Sequence, residues 1–167
     1  MLLCFTCDPY QPINDIFGLT GQAIGILHDN GFNIAILTKG GKRAERDVDL
    51  LQLGDEFATT LTFLDEQKSL KWEPGAALPG ERIEVLRKAH ELGIRTWVSL
   101  EPVIEPDESL EIIRQTYKFV DLYKVGKLNY LPQAGQIDWP KFGKEAINLL
   151  RELGKDYYIK KDLRGYL

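Results

Sequence analysis

The stretch PGERIEVLRKAHELGIRTWVSLEP, residues 79–102, decides how the chain is read. Pro79-Gly80-Glu81 opens a helix, Ile83, Leu86 and Ala89 share one face of it, and Gly93 supplies the turn that commonly ends a helix. Ile94 to Leu100 follows as a buried strand with Trp97-Val98-Ser99-Leu100 at its heart, and it runs into Glu101-Pro102. A carboxylate at the exit of such a strand is costly to bury unless something binds it, and Pro102 holds Glu101 extended. Helix, glycine, buried strand and polar exit together make the unit of a parallel α/β fold, in which the carboxyl ends of the strands converge on one mouth.

The same unit recurs on both sides. Leu2 to Thr6 predicts a strand ending at Cys7-Asp8, followed by helix-like spacing of Ile13, Ile16, Phe17, Ile24 and Leu27 that stops at Asn30-Gly31. Phe32 to Leu37 predicts a strand ending at Thr38-Lys39, Arg43 to Leu53 a helix closed by Gly54, and Phe57 to Phe63 a strand carrying Thr62. A long loop through Trp72-Glu73-Pro74-Gly75 leads to the opening stretch. Beyond it come a helix over Asp107 to Tyr117, a strand over Phe119 to Val125, a helix over Trp139 to Leu153 and a final strand over Tyr157 to Lys160. Each parallel crossover needs a connection long enough for a helix, so the order implies about six parallel strands with helices outside them. A closed eight-stranded barrel takes about 250 residues. The expectation is therefore a TIM-barrel-like partial barrel forming one domain over residues 1–167.

At 167 residues and 44% hydrophobic, the chain can bury a core of its own. A net charge of -4 offers no basic stripe, which weakens a nucleic-acid role without excluding it. No apolar run approaches the roughly 20 residues of a membrane span, and no signal region precedes the first strand, so a cytoplasmic protein without membrane contact is expected.

Candidate chemistry lies mostly at the strand exits. Cys4-Phe5-Thr6-Cys7 is a CxxC at a strand end before a helix, either a thioredoxin-type dithiol or two small hydrophobes near the core. His28 and His90 fall on helices, away from the exits, and read as packed or solvated side chains. Thr38-Lys39-Gly40-Gly41 places an ammonium and backbone N–H groups at the mouth, suited to a carboxylate or phosphate, or else forms a plain turn with a solvated lysine. The GxxxxGK[ST] order of a P-loop is absent. Glu73 and Arg82 read as structural, with Arg82 reaching back to Glu73 from the next helix. Lys124, Lys127, Asn129 and Tyr130 end the next strand as a substrate contact or a solvated loop.

Taken in order, Asp8-Pro9-Tyr10-Gln11-Pro12, Thr38-Lys39 with Arg46-Asp47, Thr60-Leu61-Thr62, Glu73-Pro74-Gly75-Ala76 with Arg82, Glu101-Pro102-Val103-Ile104 and Lys124-Val125-Gly126 resemble the radical S-adenosylmethionine (radical SAM) proteins of the spore photoproduct lyase-like, or DNA repair photolyase, group. The resemblance covers almost the whole chain. It implies a partial barrel whose mouth holds a 4Fe-4S cluster and S-adenosylmethionine, the source of a 5'-deoxyadenosyl radical that abstracts a substrate hydrogen. It implies a cofactor face made of Cys7, Asp8, Lys39, Thr62 and Glu101. Cys7 stands where the group usually has Ser or Thr, Lys39 meets the methionine carboxylate, Thr62 is a polar strand-end contact, and Glu101 lies beside the adenosine. Tyr10, Lys124, Lys127, Asn129 and Tyr130 would face the substrate. The cysteine that returns hydrogen in spore photoproduct lyase aligns with Phe5, so that role does not pass securely to Cys4 or Cys7.

The departure from the group is large. Its CxxxCxxC motif, which gives three thiolates to the cluster, normally precedes this region, whereas this chain has two cysteines in all. Two classes of function follow. Either the chain is the carboxyl-terminal part of a radical SAM lyase, working with a cluster-bearing segment, or it is a catalytically silent α/β binding or interaction domain. A CxxC redox protein is a weaker third. The first strand, lacking the βα unit that would cover it, is expected to leave an exposed edge open to that segment or to a second copy of the chain.

Overall fold

The structure is a computed structural model, and it describes residues 1–3 and 7–167. Six parallel strands lie in the order β1-β2-β3-β4-β5-β6: β1 (Leu2–Leu3), β2 (Ala35–Thr38), β3 (Glu56–Thr60), β4 (Arg95–Leu100), β5 (Leu122–Val125) and β6 (Asp156–Ile159). The α/β class and the six-stranded parallel sheet are as expected. The first strand was expected over Leu2 to Thr6, but Cys4, Phe5 and Thr6 lie outside the described residues. No helix among the described residues is long and apolar enough to cross a membrane.

The helices are α1 (Pro12–Phe17), α2 (Leu19–Asp29), α3 (Lys42–Val48), α4 (Glu66–Trp72), α5 (Pro79–Glu91), α6 (Pro106–Thr116), α7 (Trp139–Glu152) and α8 (Lys161–Arg164). A sheet whose strands follow chain order, joined by right-handed crossovers, carries its helices on one face. Alternation along each strand agrees. Ile36, Phe57, Val98, Leu100, Tyr123, Val125 and Ile159 belong to the helix-side core, together with Leu86 and Ala89 of α5, Ile112 and Ile113 of α6, and Phe142, Ala146 and Leu150 of α7.

Several boundaries differ from expectation for local reasons. The helix expected from Ile13 to Leu27 is two helices, because Gly18 adopts φ 57 and donates its N–H back to the Asn14 carbonyl. Ile13, Ile16 and Phe17 are exposed rather than core. Helix α3 stops at Val48, five residues short of Leu53, and the chain tightens through turns to reach Asp55. The third strand ends at Thr60, so Thr62 and Phe63 lie beyond it. A 3-10 turn occupies Tyr117–Phe119 and delays the fifth strand to Leu122. Helix α4 was expected as loop; Asp65 caps it by accepting from the Lys68 N–H at 3.0 Å.

Aspartates fasten the amino ends of the strands, Asp55 buried and Asp121 half-buried. Asp55 accepts from the N–H groups of Ile34 and Gln52 and meets His28 Nε2, each at 2.8 Å. This makes His28 a packed helix histidine rather than a ligand. Asp121 accepts from the Thr96 N–H at 2.8 Å in the same way, two strands along. Asp55→Ala leaves two backbone donors and the imidazole without their acceptor. At about 1–3 kcal/mol for a buried unsatisfied group, urea unfolding should register a loss of about 3 kcal/mol with an unchanged m-value.

Candidate functional site

Strand alternation selects which side chains leave the helix-packed face. The residues out of phase with the core are Leu37 and Lys39 on β2 and its exit, Ala58, Thr60 and Thr62 from β3, Trp97, Ser99 and Glu101 from β4, Lys124 and Gly126 from β5, and Tyr158 and Lys160 from β6. Pairing aligns them into rows. Thr60, Ser99, Lys124 and Tyr158 stand side by side in register. Leu100, Val125 and Ile159 form a row on the other face, so Glu101, Gly126 and Lys160, one residue further on, share the next row at the carboxyl rim.

One end of the rim is organised by Glu73. Its Oε1 meets Lys39 Nζ at 2.6 Å and accepts from Thr62 Oγ1 at 3.2 Å, while Oε2 meets Arg82 Nη1 at 2.8 Å. Arg82 is almost fully buried and also donates to the Ala77 carbonyl at 2.7 Å and the Thr60 carbonyl at 3.0 Å. The expected reach of Arg82 back to Glu73 is therefore present. The carboxylate also unites Lys39 with Thr62, a link that sequence spacing did not disclose. Burial raises the Glu73 pKa, but the hydrogen bond from Lys39 and the charges of Arg82 and Lys39 outweigh it, leaving the group below its ordinary value.

Asp8 is committed to shaping the same corner. Its carboxylate accepts from the Tyr10 N–H at 2.8 Å, Thr38 Oγ1 at 2.7 Å and the Lys39 N–H at 2.6 Å. The Gly40 N–H donates to Thr38 Oγ1 at 2.8 Å, so it is not left for an anion. Glycine is required there for space, since a Cβ at Gly40 would stand 2.6 Å from Tyr10 Cβ. Gly41, at φ 53, packs its Cα against Ala77. Between these segments lies a cleft of about 260 Å³ lined by Asp8, Lys39, Arg43, Glu73 and Gly75 among others. Tyr10 belongs to the core, where burial first and Asp47 second push its phenol pKa up. Cys7 is exposed, whereas Cys4 lies outside the described residues.

At the other end, Glu101 pairs with Lys160 Nζ, which also donates to Ser99 Oγ at 3.3 Å. The Glu101 carboxylate rests against Gly126, where any Cβ would overlap it. Lys124 Nζ sits 3.2 Å above the centroid of Trp97, whose indole N–H donates to Glu56 Oε2 at 3.0 Å. Lys127 lies between the rings of Trp139 and Tyr166 and donates to the Tyr166 hydroxyl at 3.3 Å. Asn129 donates to Asp162 Oδ2 at 3.0 Å. Both residues are thereby tied to α8 and the residues after it, while Tyr130, at φ 63, is fully exposed. Lys160 and the α8 contacts were not expected. The available signal was a lysine placed directly after β6 as Lys39 is placed after β2.

The residues present accommodate one of the implied groups better than the other. A lysine paired with a carboxylate on a cleft wall matches a zwitterionic amino-acid end. Among the described residues no group of three or more His, Cys, Asp or Glu could hold a metal ion, so an iron–sulfur cluster finds no ligand set there.

No family model matches the chain. It is 30% identical over 125 residues to an uncharacterised protein of Methanocaldococcus jannaschii, covering 73% of this chain and 48% of that one. It is 26% identical over 123 residues to an uncharacterised protein of Acidianus two-tailed virus, covering 72% and 40%. The chain thus spans about half or less of the length of these relatives. Among solved structures it superposes on spore photoproduct lyase complexed with dinucleoside spore photoproduct at TM-score 0.69, with 11% identity over 95% of this chain and 59% of the other. Streptococcus suis SuiB bound to S-adenosylmethionine gives 0.66, with 10% identity over 84% and 36%. A radical SAM methyltransferase from Sphaerobacter thermophilus gives 0.59, with 15% identity over 98% and 51%. The chain therefore shares its fold with these proteins.

Glu73→Gln should cost about 3 kcal/mol at neutral pH, because the buried Arg82 charge loses its counter-charge. With its folded pKa lowered, Glu73 contributes stability that is present above the ordinary carboxylate range and lost as pH falls through the folded value. The difference between wild type and Glu73→Gln should accordingly shrink on acidification below about pH 4, as denaturant titrations at stepped pH would record.

Proposed function

We propose that the rim binds S-adenosylmethionine or a related adenosyl compound, with Cys7, Asp8, Lys39, Thr62 and Glu101 forming the cofactor face and Lys124, Lys127, Asn129 and Tyr130 on the substrate side. The observation that carries this reading is the Lys39–Glu73 pair at 2.6 Å on the wall of the 260 Å³ cleft. Lys39 is about a third exposed, and one carboxylate does not saturate the three donors of an ammonium. Its remaining donors suit a ligand carboxylate, and Glu73 and Asp8 give the wall acceptor charge for a ligand ammonium. Glu101, held by Lys160 and backed by Gly126, offers acceptor oxygens to hydroxyl groups at the other end of the rim.

On this reading the chain is the part of a radical SAM lyase-like protein that holds the cofactor, and the cluster that would supply electrons belongs to a further segment with three cysteines. The relatives' greater length and the absence of a ligand cluster among the described residues both support that division. The protein's own part in the chemistry is then to orient the sulfonium compound and keep its two ends fixed. A silent binding domain is the competing outcome of the experiments that follow.

Calorimetric titration with S-adenosylmethionine should give binding to the wild type and a loss of about 1.5–3 kcal/mol, roughly 10- to 150-fold, in Lys39→Ala. Lys39→Arg should recover part of it. Equal affinity in wild type and Lys39→Ala removes Lys39 from the site, and no binding by the wild type sinks the reading. Separately, anaerobic reconstitution of this chain with iron and sulfide should yield no four-iron cluster and no 5'-deoxyadenosine, since two cysteines cannot give three thiolates. A stoichiometric cluster with turnover would overturn the proposed division of labour.

A further inference from the structure

The amino ends of the strands carry a second concave surface, remote from the rim. A cleft of about 730 Å³ opens between the last turns of α5, the end of α6 and the 3-10 turn at Tyr117–Phe119. Those segments lead into β4 and β5, so the cleft lies at the opposite end of the sheet from Lys39 and Glu101. Arg87, His90 and Glu91 line it from α5 at the i, i+3, i+4 spacing of one helix face, and Arg114 and Lys118, four residues apart, line it from the other side. Three permanent cations thus confront one carboxylate, in a chain whose net charge is -4.

Local structure leaves these cations without the partners that their positions offer. Arg87 has Glu84 three residues before it and Glu91 four after, both within helical reach. Its guanidinium lies instead over the Phe119 ring, 4.7 Å from the centroid, and among the described residues it makes no ion pair or hydrogen bond. Glu84 pairs with Lys42. The Lys118 side chain has no partner among the described residues, and Arg114 holds only Glu111, at 3.4 Å, with both side chains about half exposed. Nor do the cations finish the helix ends. The carbonyls of Lys88, Ala89 and His90 at the end of α5 accept from the N–H groups of Leu92, Ile94 and Gly93. In α6, Thr116 Oγ1 donates to the Ile112 carbonyl at 2.7 Å, and the Tyr117 N–H donates to that of Ile113. Helix polarity favours a cation near each of these ends, but it does not account for two basic faces lining one cleft, where they repel each other.

We propose that this cleft binds a small phosphoanhydride, with Arg87 taking one phosphoryl group and Arg114 and Lys118 the one linked to it. A guanidinium fork matches phosphoryl oxygens bidentately, and the ring beneath Arg87 fixes its head while leaving the N–H edge unengaged. Cations on opposite walls suit two linked anionic groups better than one. Glu91 opposes such a ligand, so its neutralisation should strengthen binding, which a purely structural role for the cluster would not produce. The surface argument does not depend on the cofactor reading, and failure of either leaves the other standing.

The test titrates inorganic pyrophosphate into the chain at low salt while amide NMR spectra are recorded. Saturable shifts should fall on residues 87–91 and 114–119 and leave residues 39–43 unmoved. Arg87→Gln with Lys118→Gln, both at exposed positions, should weaken binding about tenfold or more, and Glu91→Gln should strengthen it about threefold. Lys141→Gln with Lys144→Gln, exposed lysines of α7, should change nothing beyond a small screened effect. Inorganic phosphate should bind about tenfold more weakly than pyrophosphate. Binding of ADP at least as tight as pyrophosphate identifies nucleoside diphosphates as the source of the group, and binding of pyrophosphate alone identifies the free anion; both sustain the proposal. No saturable binding at millimolar pyrophosphate, shifts centred on residues 39–43, equal losses in the two double variants, or phosphate bound as tightly as pyrophosphate overturns it. If the Arg87 and Lys118 variant does not fold, the Glu91→Gln arm decides alone, and unchanged or weakened binding there overturns the proposal.

Discussion

The guanidinium of Arg82 is the constraint around which the rim is built. A charge that is 1% exposed must be met on all sides, and Arg82 is met by the Glu73 carboxylate and by carbonyls of Ala77 and Thr60. Those partners come from the loop after α4, the entry to α5 and the end of β3, so one guanidinium joins three segments of the chain. Because Glu73 is fixed by Arg82 from behind, its second oxygen is fixed in front, and Lys39 and Thr62 take positions relative to it. Replacing the pair by apolar residues could be neutral for stability, as buried pairs often are. It would leave the wall of the cleft without a carboxylate, so the pair is better understood as a device for position.

The fold was legible where burial dominated and obscure where it did not. The strand through Trp97, Val98 and Leu100 and the helix before it were readable because both elements face a core and Gly93 separates them. Helix α4 was not: its seven residues carry little apolar pattern, and its one local signal is the Asp65 cap. The first helical region misled in the opposite sense. Ile13, Ile16 and Phe17 have the period of a core-facing helix and lie in solvent, since period reports that a stripe exists and not what covers it.

The candidate site was half legible for a related reason. A polar residue at a strand exit marks itself, which is how Lys39, Thr62 and Glu101 were found. Its partner across the rim does not. Lys160 is 59 residues from Glu101, and only strand register brings them into one row. Glu73 is 34 residues from Lys39 and looked like half of a local turn. Lys127 and Asn129 likewise read as loop donors, because Tyr166 and Asp162, which engage them, come more than 30 positions later.

Gly126 and Glu101 occupy what is in effect a single volume. The carboxylate lies where a Cβ on Gly126 would have to be. The two positions are therefore not free to drift independently: any side chain at 126 expels the carboxylate at 101, and a shorter acid at 101 would open a hollow that a methyl at 126 could fill. Lys160 would follow whichever oxygen remains in reach. Sequences that share this rim should thus divide into two compatible sets, glycine opposite a long acid or a small side chain opposite a short one, with mixed combinations selected against.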